Sequence, residues 1–191
     1  MKQFALASLA LALCAPLASQ AAPATYAIDP SHTSATFEAL HFGTSTIRGR
    51  FMKNSGTVQL DRAAKTGKVE LTLDMAGLST GVAPFDKHLR SADFFDAETH
   101  STASFVGDKF TFDGDKVTEV SGQLTLRGKT APLTLKAVRF NCYESPMLKR
   151  EVCGGDFQTT LKRSLWDVNF GLQMGVADDT PLHIQVEAIK Q

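Results

Sequence analysis

The sequence predicts an all-β domain, an antiparallel β-barrel of about eight strands with one short helix. Residues 69–75 and 182–188 alternate apolar and polar side chains, which is the pattern of strands with one buried face and one wet face. Turn residues separate such segments, and 13 phenylalanines stand against two tyrosines and one tryptophan. Aromatic rings without polar groups suit a dry interior.

Weaker alternating segments complete a set of eight or nine strands, and they span residues 34–40, 46–51, 56–60, 104–112, 117–126, 133–140 and 157–161. Residues 113–115 predict a tight turn and residues 127–132 a looser one, so consecutive strands are expected to pair as a meander. Residues 84–92 lose the two-residue period and contain good helix formers, which predicts the one helix. Residues 163–166 predict a further turn.

A sheet of this length avoids exposed edges either by packing as a sandwich or by closing into a barrel. Eight strands enclose just enough room for one slender ligand. A membrane-spanning barrel would need girdles of Trp and Tyr, and one tryptophan with two tyrosines is too few. The phenylalanines therefore either fill a solid core or line a cavity, and composition alone leaves both interpretations open.

The N-terminus predicts export. Lys2 precedes an apolar run over residues 4–17, and small residues at positions 19 and 21 suit signal peptidase. We therefore interpret residues 1–21 as a signal peptide and residues 22–191 as one domain in the periplasm. A lipidated Cys14 is the alternative, and the bulky preceding leucine disfavours it. Twenty Lys and Arg balance twenty Asp and Glu without a basic cluster, which argues against a nucleic-acid partner.

Two cysteines remain after removal of the signal peptide. In an oxidising compartment, Cys142 and Cys153 predict a structural disulfide. The alternative is a redox or metal-binding pair. The spacing is not that of a CxxC motif, however, and no second Cys/His pair accompanies it, so the disulfide is the favoured interpretation.

Four ordered motifs resemble the YceI-like family over nearly all of residues 22–191. They are YAIDPSHT at 26–33, LSTG at 78–81, DKHLRSADFF at 86–95 and GQLTLRGKTAP at 122–132. The resemblance implies a periplasmic, extended antiparallel barrel of lipocalin type, often a homodimer. It also implies an elongated cavity for polyisoprenoid lipids, quinones or related amphiphiles. Two departures, the charged loop between the cysteines and the segment 163–167, mark a barrel end at which the ligand could differ.

The predicted ligand site combines a dry tube for an apolar tail with a few polar groups for a head. The predicted ligand-binding residues are His32, Phe37, Phe51, Phe85, Asp86, His88, Arg90, Phe94, Phe95 and Phe105. Among them Asp86, His88 and Arg90 lie close in sequence beside two phenylalanines and could hold the head. In the alternative interpretation, Asp86 and Arg90 lie four apart on a helix and form a surface ion pair.

No motif predicts catalysis. The sequence contains neither GxSxG nor HExxH, and its five histidines are scattered, so no catalytic residue, metal site or cofactor is predicted. The favoured function is a periplasmic binding or carrier protein for a long amphiphilic lipid, such as a polyisoprenoid or isoprenoid quinone, that exchanges with the membrane. The alternatives are a cofactor-free envelope stress-response protein and a lipid-modifying enzyme.

Overall fold

A computed structural model describes residues 22–191, so the predicted signal peptide lies outside the described residues. The described part of the chain forms eleven strands and one α-helix. They are β1 (Ala24–Ile28), β2 (Ser34–His41), β3 (Ser45–Phe51), β4 (Asn54–Asp61), β5 (Thr66–Asp74), β6 (Leu78–Ser79), α1 (Ala83–Arg90), β7 (Thr102–Asp113), β8 (Lys116–Leu126), β9 (Lys129–Glu144), β10 (Glu151–Lys162) and β11 (Asp179–Lys190).

Eight of the strands close into an antiparallel ring. The order is β1-β4-β5-β7-β8-β9-β10-β11, and β1 pairs with β11 to complete it. The other half of β11 pairs with β2, followed by β3 and β6. Because β1 and β2, β3 and β4, and β5 and β6 are pairs separated by short breaks, the barrel consists of eight long strands, three of them interrupted. The predicted barrel and its meander are confirmed.

Side chains repair the break between β1 and β2. The Thr33 hydroxyl donates to the Glu187 carbonyl at 3.3 Å and accepts from the Glu187 amide at 3.2 Å. The Asn54 amide donates to the Thr33 carbonyl at 2.6 Å, across to the neighbouring strand. These contacts replace ladder hydrogen bonds that the interrupted strand cannot make, so the barrel wall stays closed there.

The predicted strands differ from the observed ones mainly in length, but β1 and β6 match no predicted strand. The predicted helix at 84–92 is α1, and the predicted turn at 163–166 is a short 3-10 helix. The connection after β8 is tighter than expected, since β9 begins at Lys129 and only Arg127 and Gly128 link the strands. Both linking residues have positive φ, 49° and 72°, which is the geometry of a two-residue hairpin turn.

The two ends of the barrel are built differently. One end carries the cap, which we define as residues 80–101 with α1 and residues 163–178 between β10 and β11. The other, the hairpin end, has only the short turns at 62–65, 114–115 and 145–150. Trp166 of the cap is buried, and its indole N–H donates to the Leu124 carbonyl at 3.0 Å, which fixes the cap to β8.

Candidate ligand-binding cavity

The barrel interior contains an apolar chamber toward the hairpin end, with a cavity volume of about 80 Å³. Inward-facing aliphatic and aromatic side chains from every strand of the closed ring form its wall. This hairpin-side chamber is lined by Tyr26, Ile28, Val58, Leu60, Val69, Leu71, Phe105, Phe110, Val117, Val120, Leu135, Phe140, Cys153, Gly154, Phe157, Ile184, Val186 and Ala188.

A second apolar chamber, of about 130 Å³, lies beneath the cap. This cap-side chamber is lined by Ala35, Phe37, Ala39, Phe51, Leu73, Met75, Leu89, Phe94, Phe95, Ala103, Leu124, Leu126, Leu161, Arg163, Val168, Val176, Thr180 and Leu182. Its wall is apolar except for two residues near the cap, Arg163 and Thr180. The phenylalanines thus surround open space as well as filling a core.

Consecutive inward-facing rows of side chains separate the chambers. Leu71 pairs with Phe105 across β5 and β7 and lines the hairpin-side chamber. Leu73 and Ala103 form the next inward pair and line the cap-side chamber. Inward-facing residues are two positions, or about 7 Å, apart along a strand. The two chambers therefore meet between these two adjacent rows of side chains.

Three phenylalanine rings cluster in the cap-side chamber. The Phe37 and Phe51 centroids lie 6.0 Å apart, and Phe95 of the cap lies 6.1 Å from Phe37 and 5.5 Å from Phe51. Gly49 makes this arrangement possible, because a Cβ there would lie 2.3 Å from the Phe37 ring. Three of the predicted tail residues therefore meet around one apolar space, and Phe94 lines the same space.

Two arginines hold the cap together through backbone carbonyls. Arg127 donates to the carbonyls of Ala92, Phe94 and Asp167 at 2.6–2.9 Å, which joins the two segments of the cap. The buried Arg163 donates to the carbonyl of Val168 at 2.7 Å and to three others between positions 170 and 177. Burial lowers the Arg163 pKa, while Asp178 nearby favours the charged form.

The polar residues predicted to hold a head group already have partners in the cap. Asp86 accepts from the Thr80 hydroxyl at 2.7 Å and from its amide at 2.6 Å, and these hydrogen bonds lower the Asp86 pKa. Arg90 donates to the Leu78 carbonyl at 2.8 Å. Neither residue lines a chamber, and no salt bridge joins the two side chains within residues 22–191. Their role in head-group binding stays a prediction.

His88 lies on the outer side of the cap. Its ring packs edge-on against Phe94 at 5.0 Å and Phe170 at 4.9 Å, and Nε2 lies 2.9 Å from an Asp93 carboxylate oxygen. Phe85, on the same helix, is 48% exposed and lines neither chamber. Of the predicted phenylalanines, Phe105 lines the hairpin-side chamber, and Phe85 alone lines neither chamber.

His32 lies in the break between β1 and β2 rather than in a chamber. Its Nδ1 is 2.8 Å from an Asp29 carboxylate oxygen, which raises the His32 pKa. Partial burial would raise the pKa of Asp29, but hydrogen bonds from Ser31 and His32 bring it down to about 2. The Ser31 hydroxyl also lies 3.1 Å from Nδ1. Asp29 and Ser31 thus both contact the Nδ1 atom of His32, and the three residues form a local turn.

A polar cluster at the hairpin end was not predicted. The buried Tyr26 hydroxyl donates to Glu151 at 2.5 Å. Burial, followed by this hydrogen bond and the Glu151 charge, raises the Tyr26 pKa to about 12. Two cations also contact the Glu151 carboxylate: an Arg62 guanidinium nitrogen lies 2.6 Å from it, and Lys190 Nζ lies 3.7 Å from it. The cluster places two cations beside the one tyrosine in the hairpin-side chamber wall. Its members are up to 164 positions apart in sequence, so no local pattern points to it.

The predicted disulfide is confirmed, since Cys142 and Cys153 are bonded at opposite positions of β9 and β10. These two cysteines and Glu151 form the one group of three potential metal ligands within residues 22–191. Because both sulfur atoms are in the disulfide, they are not available as thiolate ligands.

Among residues 22–191, the structure contains no helix long and apolar enough to cross a membrane.

A closed eight-stranded antiparallel barrel with an apolar interior and a cap at one end defines a protein of the lipocalin-like class. The chain belongs to the YceI-like domain family, whose pattern it matches over residues 26–188. A UPF0312 protein of Vibrio vulnificus is 35% identical over 189 residues, which is 96% of this chain and 95% of that protein.

Two solved structures share the fold. BcnA of Burkholderia cenocepacia superposes with a TM-score of 0.69 at 24% identity, covering 84% of this chain and 99% of BcnA. A domain from Saccharophagus degradans, described as polyisoprenoid-binding, superposes with a TM-score of 0.62 at 15% identity and covers 88% of this chain and 99% of that domain.

Proposed function

We propose that the protein is a non-catalytic periplasmic binding protein for a lipid with a long apolar chain, such as a polyisoprenoid or an isoprenoid quinone. The observation that carries the proposal is the pair of apolar chambers inside one barrel, with Phe37, Phe51, Phe94 and Phe95 around one of them and Phe105 at the other. Membership of the YceI-like family and the fold shared with a polyisoprenoid-binding domain support it.

The shape of the interior favours a thin chain over a bulky ligand. A cavity of about 150 Å³ holds one benzene-sized group, so each chamber has room for a group of about that size or smaller. A long chain would thread both chambers, and the row containing Leu71 and Phe105 would have to rotate aside. Binding is therefore expected to widen the interior along the barrel axis.

The energetics of the tail favour exchange over permanent storage. Removing an apolar chain from water yields about 0.8 kcal/mol per carbon, or about 4 kcal/mol for each five-carbon isoprene unit. The same chain gains almost as much inside a bilayer, so transfer between membrane and barrel is nearly balanced. A carrier or scavenger that takes lipid from a membrane and returns it fits this balance.

Native mass spectrometry after gentle extraction from the cell envelope tests the proposal. We expect an adduct whose fragments identify an isoprenoid. Added prenols and quinones of increasing chain length should bind more tightly until the tail fills the barrel. The single tryptophan, Trp166, donates a hydrogen bond to the carbonyl of Leu124, which lines the cap-side chamber, so a bound quinone should quench its fluorescence. Protein of apo mass that takes up none of these ligands would contradict the proposal.

Dimer formation is a separate part of the proposal. A homodimer is common for proteins of this class by the resemblance noted above. Light scattering of the purified protein at several concentrations would measure the mass of the assembly, with and without bound lipid. A monomer at all concentrations would remove dimerisation from the proposal without affecting lipid binding.

A further inference from the structure

The tip of the β9–β10 hairpin, which we define as residues 145–150, exposes apolar side chains to solvent. Met147 is 90% exposed and Leu148 is 49% exposed, next to an exposed Pro146. On the hairpin itself, Val138 and Tyr143 are also exposed. Isolated exposed apolar residues are common, but a largely exposed methionine beside an exposed leucine at a protruding turn suggests a contact surface.

The tip extends beyond the end of β8, while on its other side β10 stays paired with β11 up to Val152, and hydrogen bonds hold the tip internally. Residues 137–144 of β9 pair with β10 alone, because the pairing with β8 ends at Lys136. Within the tip, the Ser145 amide donates to the Arg150 carbonyl and the Lys149 amide donates to the Ser145 carbonyl, both at 2.9 Å. The Ser145 hydroxyl also accepts from the Leu148 amide at 3.2 Å. The disulfide joins the two strands just behind, so the apolar groups are displayed without further ordering.

Two cations follow these apolar groups directly in the sequence, and the exposed Glu144 just before the tip carries the opposite charge. Lys149 and Arg150 are exposed, and neither forms a salt bridge with any residue between 22 and 191. The neighbouring Glu151 faces Arg62 and Lys190, which offset its charge. Apolar side chains followed directly by two cations match the surface of a bilayer that contains anionic lipid.

We propose that the tip docks on the surface of an anionic lipid bilayer. A stable protein partner would need about 800 Å² of contact on each side, more than one short turn offers, whereas a bilayer accepts a few inserted side chains. Phe140 and Cys153 of the same hairpin line the hairpin-side chamber, so docking brings that chamber to the membrane. The inference rests on the proposed function, since it supplies the contact through which a bound lipid enters or leaves.

Vesicle co-sedimentation tests the tip directly. The probe is vesicles of phosphatidylcholine and phosphatidylglycerol in equal parts, compared with vesicles of phosphatidylcholine alone. Wild-type protein should bind the anionic vesicles more tightly, and high salt should weaken that binding. Lys149→Gln with Arg150→Gln should weaken it about 25-fold, at about fivefold per cation. Met147→Ser with Leu148→Ser should weaken binding to both kinds of vesicle about tenfold or more.

A matched control lies at the opposite end of the barrel. Met174 of the cap is 56% exposed, and Met174→Ser should leave vesicle binding unchanged. Native mass spectrometry of every variant separates the two proposals, because tip variants should still carry lipid when purified. Wild type that ignores anionic vesicles, tip variants that bind like wild type, or loss confined to Met174→Ser would each overturn the docking proposal while leaving lipid binding to be judged by its own measurement.

Discussion

Replacing Phe51 with aspartate should expel bound lipid from the cap-side chamber and reduce the free energy of unfolding to near zero. The Phe51 side chain is buried and packs on Phe37 and Phe95. Truncating a buried phenylalanine costs about 3–5 kcal/mol, and burying an unpaired polar group adds about 1–3 kcal/mol. The sum, about 4–8 kcal/mol, is comparable to the 5–15 kcal/mol by which domains are usually stable.

The introduced carboxyl should also make stability depend on pH. Burial raises the pKa of such a group in the folded state above its unfolded value of about 3.9. The folded protein therefore holds the proton more tightly, so the variant should be least destabilised below about pH 4. It should lose stability as the pH rises through the raised pKa. Phe51→Asn, which cannot titrate there, should show the loss without this pH dependence.

Urea unfolding and native mass spectrometry would measure both consequences. Phe51→Leu serves as the matched control, because it keeps an apolar side chain and should retain most of the stability and the bound lipid. If Phe51→Asp kept the urea midpoint and the lipid content of wild type, then Phe51 would neither support the fold nor line the ligand site, and the reasoning would be refuted.

Three further predictions follow from charges and covalent bonds. If the head group lies at the cap, Arg90→Ala should weaken binding of an isoprenoid with an anionic head but not of the headless hydrocarbon. The same pattern for Arg62→Ala instead would place the head group at the hairpin end. Equal loss of binding for both ligands would indicate that the substituted residue supports the fold. A hydrogen bond from the buried tyrosine, with nearby cations, lowers the Glu151 pKa from 4.5. Wild type should therefore lose stability as the pH falls through that lowered value, and Glu151→Gln should flatten the profile in acid urea titrations; an unchanged profile would contradict the assignment. Replacing Cys142 and Cys153 with serine should cost about 2–3 kcal/mol of unfolding free energy, and an unchanged urea midpoint would show that the crosslink adds no stability.

The barrel was predictable because its signal is repeated. Residues 69–75 and 182–188 lie in or next to β5 and β11, and each inward residue of those patterns faces a chamber or the core. The number of strands was less certain because breaks such as residues 29–33 divide one long strand into two short ones. The disulfide was predictable because the predicted removal of residues 1–21 on export leaves two cysteines, and paired cysteines in an oxidising compartment usually form a disulfide.

The hydrogen bonds that hold the cap together were not predictable from the sequence. Arg127 and Arg163 were not among the predicted site residues, and both donate to backbone carbonyls, which every residue possesses and which leave no mark on the sequence. Charge spacing suggested an ion pair or a head-group site at Asp86 and Arg90; the side chains instead form hydrogen bonds with Thr80 and with the Leu78 carbonyl of β6, and the head-group role stays a prediction. The contact of Tyr26 with Glu151 joins positions 125 apart, beyond the reach of any local pattern.

The seam between the first and last strands has a consequence for how the chain folds. Tyr26 pairs with Lys190, and the Gln191 amide donates to the Thr25 carbonyl at 2.9 Å, so the ring cannot close before almost the whole chain is present. Pairing strands so distant in sequence makes folding slow relative to local structure formation. A nascent chain lacking β11 has no completed barrel. For the export proposed above, this delay would keep the chain unfolded while it crosses the membrane.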